Sequence, residues 1–194
     1  MAVRYPKPAS ACENYDMRIS VYCSSSPDVD QKFLDLAYQV GQGIAARGWE
    51  LVWGGGKISM MGAVARGARD GGAKTFGVIP ESLLSMEFGD DQASEMFVTA
   101  DMRSRKAKLE ELSDAFIALP GSIGTLEELF EIWVGRYLNF HSKPVVVLDP
   151  YGAFTPLKGA LEHLTDLKFM KPGQAEQAYW CSDIESALSA CAHE

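Results

Sequence analysis

The chain has 194 residues, of which 47% are hydrophobic and 23% are charged, as is ordinary for a soluble globular protein with a sizeable core. Its formal net charge of −8 argues against broad electrostatic binding to a nucleic-acid polymer or to acidic lipid, although a local basic site can still bind a small anion. No apolar run approaches the roughly 20 residues of a membrane-spanning helix, so we predict no membrane partner.

The cysteines and histidines show no spacing typical of a metal site. Cys12, Cys23, Cys181 and Cys191 form no CxxC pair, and the three histidines have no ligand spacing, so we predict no bound metal. We interpret the thiols as reduced and the protein as cytoplasmic. Cys23 follows a predicted strand and is a candidate nucleophile, although a small buried hydrophobe is the favoured interpretation.

The first 17 residues contain two prolines and lack the apolar segment of a signal peptide. We expect them to form a flexible arm that precedes one domain over residues 18–194.

Short β-branched or apolar runs then alternate with helical patterns along the chain. The predicted strands cover residues 18–22, 49–53, 74–79, 96–99, 115–119, 144–148 and 178–181, and predicted helices include residues 30–47, 59–70, 125–139, 154–167 and 183–192. Ser59 is a candidate N-cap, and residues 81–94 are predicted to be a surface loop. Because parallel strands need helical crossovers, this alternation predicts an α/β fold: a Rossmann-like, doubly wound, mostly parallel sheet with helices on both faces.

Three turns rich in glycine or serine follow predicted strands, after Tyr22, Trp53 and Leu119. In doubly wound sheets ligands bind beyond the carboxyl ends of the strands. We therefore expect the three turns to line one crevice.

The turn after the second strand reads GGGKISMMG over residues 54–62. It lacks the GxGxxG order of a dinucleotide site, and Ile58 after Lys57 removes the hydroxyl that a Walker A loop uses to bind Mg²⁺. Consecutive glycines still let a backbone approach a ligand closely, the alternative being a simple tight turn. The three glycines are Gly54, Gly55 and Gly56.

The stretch over residues 101–132 brings charge and a small-residue turn together. A helical run with Arg105 and Lys106 leads into a buried strand, which ends in the sequence PGSIG; Thr125 is predicted to open the next helix, with two glutamates in its first turn. Because the first amides of a helix have no internal partner and carry partial positive charge, we predict an anion site there. Carboxylates and cations beside it suggest chemistry on a phosphorylated substrate.

Structural alternatives exist for each of these groups. Thr125 and Glu128 match the T-x-x-E capping box, and Glu127 can serve only to stabilise the helix dipole. Arg105 and Lys106 can form a solvated helix face supported by Glu110. The motif alone favours capping, whereas the convergence of both helices on one strand favours the anion site.

Taken together, these motifs resemble the LONELY GUY family of cytokinin riboside 5′-monophosphate phosphoribohydrolases, often labelled possible lysine decarboxylases. The family pattern PGGxGTxxE corresponds to residues 120–128, Met-x-x-Arg-Lys to 102–106, GGGxxGxMG to 54–62, and the first strand with its serine turn to 18–27. The resemblance covers residues 18 to about 149 and, more loosely, the rest.

The resemblance implies that Arg105 and Glu128 are the catalytic pair, with Lys106 beside them, and that Glu87 contacts the substrate. It also implies that the turn and the helix start bind the ribose 5′-phosphate. The substrate-binding set further includes Gly121, Ser122, Ile123, Gly124, Thr125, Leu126 and Glu127, with the three glycines of residues 54–56. The family needs no metal or organic cofactor and is dimeric, with sites near the subunit interface, so a homodimer is expected.

Three residues depart from the family pattern. Ser122 replaces a glycine, which would strain the backbone if the position needs a positive φ and would otherwise offer a hydroxyl to the phosphate. Ser59 replaces another glycine, and Arg103 stands where the family usually has a histidine or a bulky aromatic residue. These departures leave the preferred base open.

The leading hypothesis is hydrolysis of the N-glycosidic bond of a nucleoside 5′-monophosphate, with an N6-substituted adenine and ribose 5-phosphate as the expected products. The alternatives are a broader nucleosidase that acts on AMP or other monophosphates, and a nucleotide carrier or sensor without catalysis. Lysine decarboxylation has no support, since we find no lysine placed like a Schiff-base residue with a pyridinium partner.

Overall fold

A parallel sheet runs through the part of the chain that the computed structural model describes, residues 17–84, 89–171 and 173–192. Its strands are β1 (Arg18–Tyr22), β2 (Glu50–Trp53), β3 (Thr75–Pro80), β4 (Glu95–Thr99), β5 (Ala115–Ala118), β6 (Val145–Leu148) and β7 (Ala178–Cys181). Neighbouring strands pair in parallel in the order β4-β3-β2-β1-β5-β6-β7. The predicted Rossmann-like α/β fold is therefore confirmed, and the described sheet is wholly parallel.

Helices connect these strands and cover both faces of the sheet. They are α1 (Gln31–Ala46), α2 (Ser59–Asp70), α3 (Glu81–Leu84), α4 (Met102–Leu112), α5 (Ile123–Tyr137), α6 (Thr155–Asp166) and α7 (Ile184–Cys191). Apolar side chains of α1, α2 and α7 pack on one face, and those of α4, α5 and α6 pack on the other. None of these helices is both long and apolar enough to cross a bilayer.

Strand β6 is apolar at every position because both of its faces are covered. Val146 and Leu148 pack against the α1, α2 and α7 face, whereas Val145 and Val147 pack against the opposite face. Alternate side chains of a strand point to opposite faces, so a strand covered on both sides needs apolar residues at every position.

Most predicted boundaries agree with the structure to within one or two residues, and the exceptions lie near the turns. The predicted surface loop over residues 81–94 contains α3 and an antiparallel bridge between Gly56 and Gly89. Ser59 is the first residue of α2 rather than its N-cap, which is the extended Ile58. The predicted arm, apart from Met17, lies outside the described residues, and so does Glu87.

The strand order reverses beside β1, which pairs with β2 on one side and with β5 on the other. Successive connections leave β1 and β5 toward opposite faces, so a crevice opens beyond the carboxyl ends of these two strands. This switch point positions the candidate site.

Candidate active site

A crevice of about 650 Å³, counting the open solvent at its mouth, lies at this switch point. Ser25 from the turn after β1, Gly54 from the turn after β2 and Ser122 from the turn after β5 all line it. The prediction that these three turns share one crevice is confirmed.

Arg105 is a buried cation at the crevice, with only 6% of its surface exposed. Arg105 lies on α4. Its Nε donates to the carbonyl of Val78 at 3.1 Å, and its Nη2 donates to the carbonyl of Gly54 at 3.3 Å. Nη1 forms an ion pair with Oε1 of Glu128 at 3.3 Å. Burying a charge costs much free energy unless it is paired and hydrogen-bonded, and here three acceptors from three segments hold the guanidinium.

Gly54 must be glycine for this arrangement to exist. A Cβ at this position would lie 2.1 Å from Nη2 of Arg105 and 3.1 Å from the sulfur of Met61. The absent side chain therefore lets the carbonyl of Gly54 reach the guanidinium. The predicted close approach of this loop to a ligand stays a prediction.

The next two glycines, Gly55 and Gly56, do not line the crevice. Gly55 has a φ of +79°, and its carbonyl accepts a hydrogen bond from the backbone N–H of Asp90 at 2.9 Å. Gly56 pairs with Gly89, and the buried Asp90 forms an ion pair with Arg69 at 2.8 Å. The glycine loop is thus more than a tight turn: one glycine serves the crevice, and two dock the segment that follows residues 85–88.

The start of α5 provides the predicted helix N-terminus. Ser122 is its N-cap, with φ −88° and ψ −167°, and its side chain makes no capping bond. Since φ is negative, the strain considered for a serine at this position does not arise. The first amides of a helix lack helical partners, and here they belong to a segment of which Ser122 and Gly124 line the crevice.

The capping-box interpretation of Thr125 and Glu128 is wrong. Helix α5 begins at Ile123, two residues earlier than predicted, so Thr125 is its third residue and both glutamates lie beyond its first turn. Thr125 is buried, and its Oγ1 sits where a Cβ of Gly121 would lie only 2.1 Å away. Glu128 instead pairs with Arg105 across the crevice.

Lys106 joins α4 to α5. Its Nζ forms ion pairs with Glu127 and, at 2.8 Å, with Glu131, and the hydrogen bonds that it donates to these two carboxylates raise the pKa of Lys106 above its ordinary value. With Arg105 buried and Lys106 paired across helices, the solvated-face alternative involving Glu110 does not hold.

The structure brings half of the fourteen predicted residues to the crevice. Those that line it are Gly54, Arg105, Ser122, Gly124, Thr125, Glu127 and Glu128. The described residues that lie in the same elements without lining it are Gly55, Gly56, Lys106, Gly121, Ile123 and Leu126. Glu87 is outside the described residues, and no group of three or more His, Cys, Asp or Glu side chains in the described ranges is arranged to hold a metal.

Sequence reasoning missed an apolar wall formed by Met61, Leu83 and Met102. Met102 lies one helical turn before Arg105, so the Met-x-x-Arg-Lys spacing carries a signal for it. Met61 lies within the glycine-rich segment, whereas Leu83 falls in α3, where a loop was predicted, and has no such signal.

Tyr22 and Cys23 also line the crevice, where β1 ends. Burial is the main cause that raises the pKa of both groups, and the nearby Glu128 raises each pKa further. Because the thiolate is the nucleophilic form of cysteine, a thiol that stays protonated fits the interpretation of Cys23 as a small buried hydrophobe.

Comparison with known proteins identifies the family to which this chain is similar. Residues 61–191 match the family described as possible lysine decarboxylase. The chain is 47% identical to the cytokinin riboside 5′-monophosphate phosphoribohydrolase of Mycobacterium tuberculosis over 91% of this chain and 94% of that protein. For the protein of the same name from Mycobacterium marinum, the identity is 45% over 90% of this chain and 92% of that protein.

Among solved structures, the molybdenum cofactor binding protein of Rippkaea orientalis superimposes with a TM-score of 0.68 over 91% of this chain and 96% of that one. Its sequence identity is 24%, so this likeness shows the fold alone. The much closer sequence relatives confirm what the motifs indicated: the chain belongs to the LONELY GUY family, that of the cytokinin riboside 5′-monophosphate phosphoribohydrolases.

Proposed function

We propose that this protein hydrolyses the N-glycosidic bond of cytokinin riboside 5′-monophosphates, releasing the free N6-substituted adenine and ribose 5-phosphate. The observation that carries the proposal is the pair formed by Arg105 and Glu128, with 3.3 Å between Nη1 and Oε1, in a crevice beside a helix N-terminus. The names of the Mycobacterium relatives support the substrate class.

The start of α5 would bind the 5′-phosphate. Its first amides carry partial positive charge and lack helical partners, and Gly124 adds no side chain between them and a ligand. The hydroxyl of Ser122, which makes no capping bond, would add a hydrogen bond to a phosphate oxygen. Binding energy from this non-reacting group would then hold the ribose in place for reaction.

Glu128 would act at the anomeric carbon. Cleavage of an N-glycosidic bond develops positive charge on the ribose, as in glycoside hydrolysis, and a carboxylate close to that carbon stabilises the charge and activates water. The water oxygen bonds to the anomeric carbon, the carbon–nitrogen bond breaks, and a proton passes to the leaving base. Arg105, held by two backbone carbonyls, would keep the carboxylate oriented.

The apolar wall would contact the base and its N6-substituent. Met61, Leu83 and Met102 present aliphatic and thioether surface to the crevice, and such flexible side chains adapt to ligands of different shape. Glu87 remains a proposed substrate contact that rests on the family resemblance.

The test is a panel of nucleoside 5′-monophosphates that includes isopentenyladenosine monophosphate and AMP, with chromatographic identification of the free base. Preferential release of isopentenyladenine supports the proposal. Equal cleavage of AMP and other monophosphates supports the broader nucleosidase, and nucleotides that are bound but remain intact support the carrier.

We further propose that the enzyme is a cytoplasmic homodimer. The family resemblance supports this assembly, and the large exposed apolar side chains of Phe140 and Phe169, each 78% exposed, offer surface that association would cover. Sedimentation equilibrium that gives the mass of one chain would reject the dimer.

A further inference from the structure

Ser59 has a backbone conformation that serine rarely adopts. Its φ is +53°, in the left-handed region that L-residues with a side chain disfavour. Its hydroxyl donates a hydrogen bond to the backbone carbonyl of Ser26. One side chain at the start of α2 therefore reaches the turn after β1.

The backbone on either side of Ser59 is closely packed. The backbone N–H of Gly62 donates to the carbonyl of Ile58 at 3.0 Å, and a Cβ at Gly62 would lie only 2.0 Å from the carbonyl oxygen of Lys57. The chain between residues 57 and 62 is thus tightly closed around Ser59. Strained residues persist where their surroundings fix them, and they cluster at functional sites.

The hydrogen bond joins two segments that line the crevice. Ser25, next to Ser26, lines it from the turn after β1, and Met61, two residues after Ser59, lines it from the start of α2. The N–H of Ser26 also donates to Oγ of Ser24 at 3.1 Å, so the carbonyl that Ser59 contacts belongs to a turn that is itself ordered by a side chain. Movement of this turn would change the distance between the two segments.

We propose that Ser59 is a positioning residue for substrate binding, an inference that rests on the proposed function. Its hydroxyl holds the turn after β1 against the start of α2, and so keeps Ser25 where it meets the ligand. A glycine at this position would relax the backbone but release the turn. Replacement of Ser59 by glycine should therefore stabilise the fold while it weakens substrate binding.

The experiment compares Ser59→Gly and Ser59→Ala with the unaltered protein, using the monophosphate that the substrate panel shows to be hydrolysed best. A matched control is Lys168→Gly, because Lys168 is an exposed residue after α6 with a φ of +63°. It has the same left-handed strain and lies outside the crevice-lining residues. Melting temperature, kcat and KM are measured for each variant.

Ser59→Gly should raise the melting temperature by about 2–4 °C and raise KM about 2- to 10-fold, the effect of losing one hydrogen bond, with kcat nearly unchanged. Ser59→Ala should raise KM equally without the gain in melting temperature. Lys168→Gly should raise the melting temperature and leave KM unchanged.

An unchanged KM in both Ser59 variants overturns the inference, whatever the melting temperature does. If the unaltered protein hydrolyses no monophosphate, the proposed function fails, and the dissociation constant of AMP, measured by calorimetry in the same variants, replaces KM. Weaker AMP binding by both Ser59 variants then supports the positioning role, whereas equal affinity, or no AMP binding by any of the proteins, rejects it.

Discussion

At the scale of single residues, the geometry of the crevice depends on Arg105. Its guanidinium contacts the carbonyls of Val78 and Gly54 as well as the carboxylate of Glu128, so one side chain connects β3, the glycine loop and α5. Arginine suits this task because its planar group donates in several fixed directions and stays charged when buried. Its neighbours can therefore be tested one at a time.

The substitution Glu128→Gln should lower kcat by about 10²-fold or more, because the amide cannot stabilise positive charge on the ribose or activate water. The amide oxygen can still accept from Arg105, which keeps its two backbone acceptors, so the melting temperature should change little. Steady-state kinetics and thermal unfolding measure the two effects. Near-normal turnover in the variant would reject Glu128 as the catalytic carboxylate.

The substitution Gly54→Ala should damage both the site and the fold. The new Cβ would lie 2.1 Å from Nη2 of Arg105, which displaces the guanidinium, and overpacking of this kind costs about 1–3 kcal/mol. The free energy of unfolding, measured with denaturant, and kcat/KM should both fall. Gly159→Ala is the matched control, because its Cβ meets nothing within 4 Å. This change should raise the free energy of unfolding by about 0.5–1 kcal/mol, since alanine is more stable than glycine in a helix interior. Full activity of Gly54→Ala would mean that catalysis does not depend on the position of the Arg105 guanidinium.

At the scale of elements, periodicity and turn residues predicted where strands and helices lie, because these signals are local. The start of α5 was predicted wrongly, since T-x-x-E is compatible with a cap at Thr125 whereas the backbone takes its cap at Ser122. The partners of Arg105 were beyond sequence reasoning for another reason. Val78 and Gly54 are 27 and 51 residues away, and only the assembled sheet brings them to α4.

Lys106 connects α4 with α5, and the substitution Lys106→Met should loosen that connection. The loss of its ion pairs with Glu127 and Glu131 should lower kcat/KM, because Arg105 and Glu128 lie on the same two helices. Stability should fall by only about 1 kcal/mol or less, as is usual for ion pairs near the surface. Lys108→Met is the control, since Lys108 pairs with Glu111 inside one helix; an equal loss of kcat/KM in both variants would refute the connecting role.

The pH dependence of this contribution follows from the pKa of Lys106. Hydrogen bonds that Lys106 donates to Glu127 and Glu131 raise that pKa above the ordinary 10.5, so the folded protein holds the proton more tightly than the unfolded chain does. The contribution is complete below pH 10.5 and is lost as the pH rises past that value. The stability difference between the unaltered protein and Lys106→Met should therefore be constant from about pH 7 to 10 and shrink above it.

At the scale of the whole molecule, the alternation of strands and helices predicted a parallel sheet, but not which strands are neighbours. The switch between β1 and β5 depends on how two non-consecutive strands pair, and no local pattern encodes that choice. The position of the crevice was nevertheless predicted, because the rule for ligands in doubly wound sheets requires only that the turns lie at the carboxyl ends. Its apolar wall needed α3, which the acidic composition of residues 81–94 concealed.

Three buried groups, two thiols and a phenol, contribute to the response of this fold to alkaline pH. Burial raises the pKa of the Cys191 thiol from 9.0 to about 12, and it also raises the pKa of the Cys23 thiol and of the Tyr22 hydroxyl above their ordinary values. The folded state therefore keeps protons that the unfolded chain releases, so the contribution of these groups to the free energy of unfolding should be constant below about pH 8 and fall as the pH rises above about 9. Each group adds a slope of about 1.4 kcal/mol per pH unit.

Cys191→Ala removes one of these groups outside the crevice, so urea unfolding at a series of pH values should show a shallower decline of the free energy of unfolding in this variant, by about that amount. Parallel declines in the two proteins would mean that Cys191 ionises as readily in the folded state as in the unfolded chain.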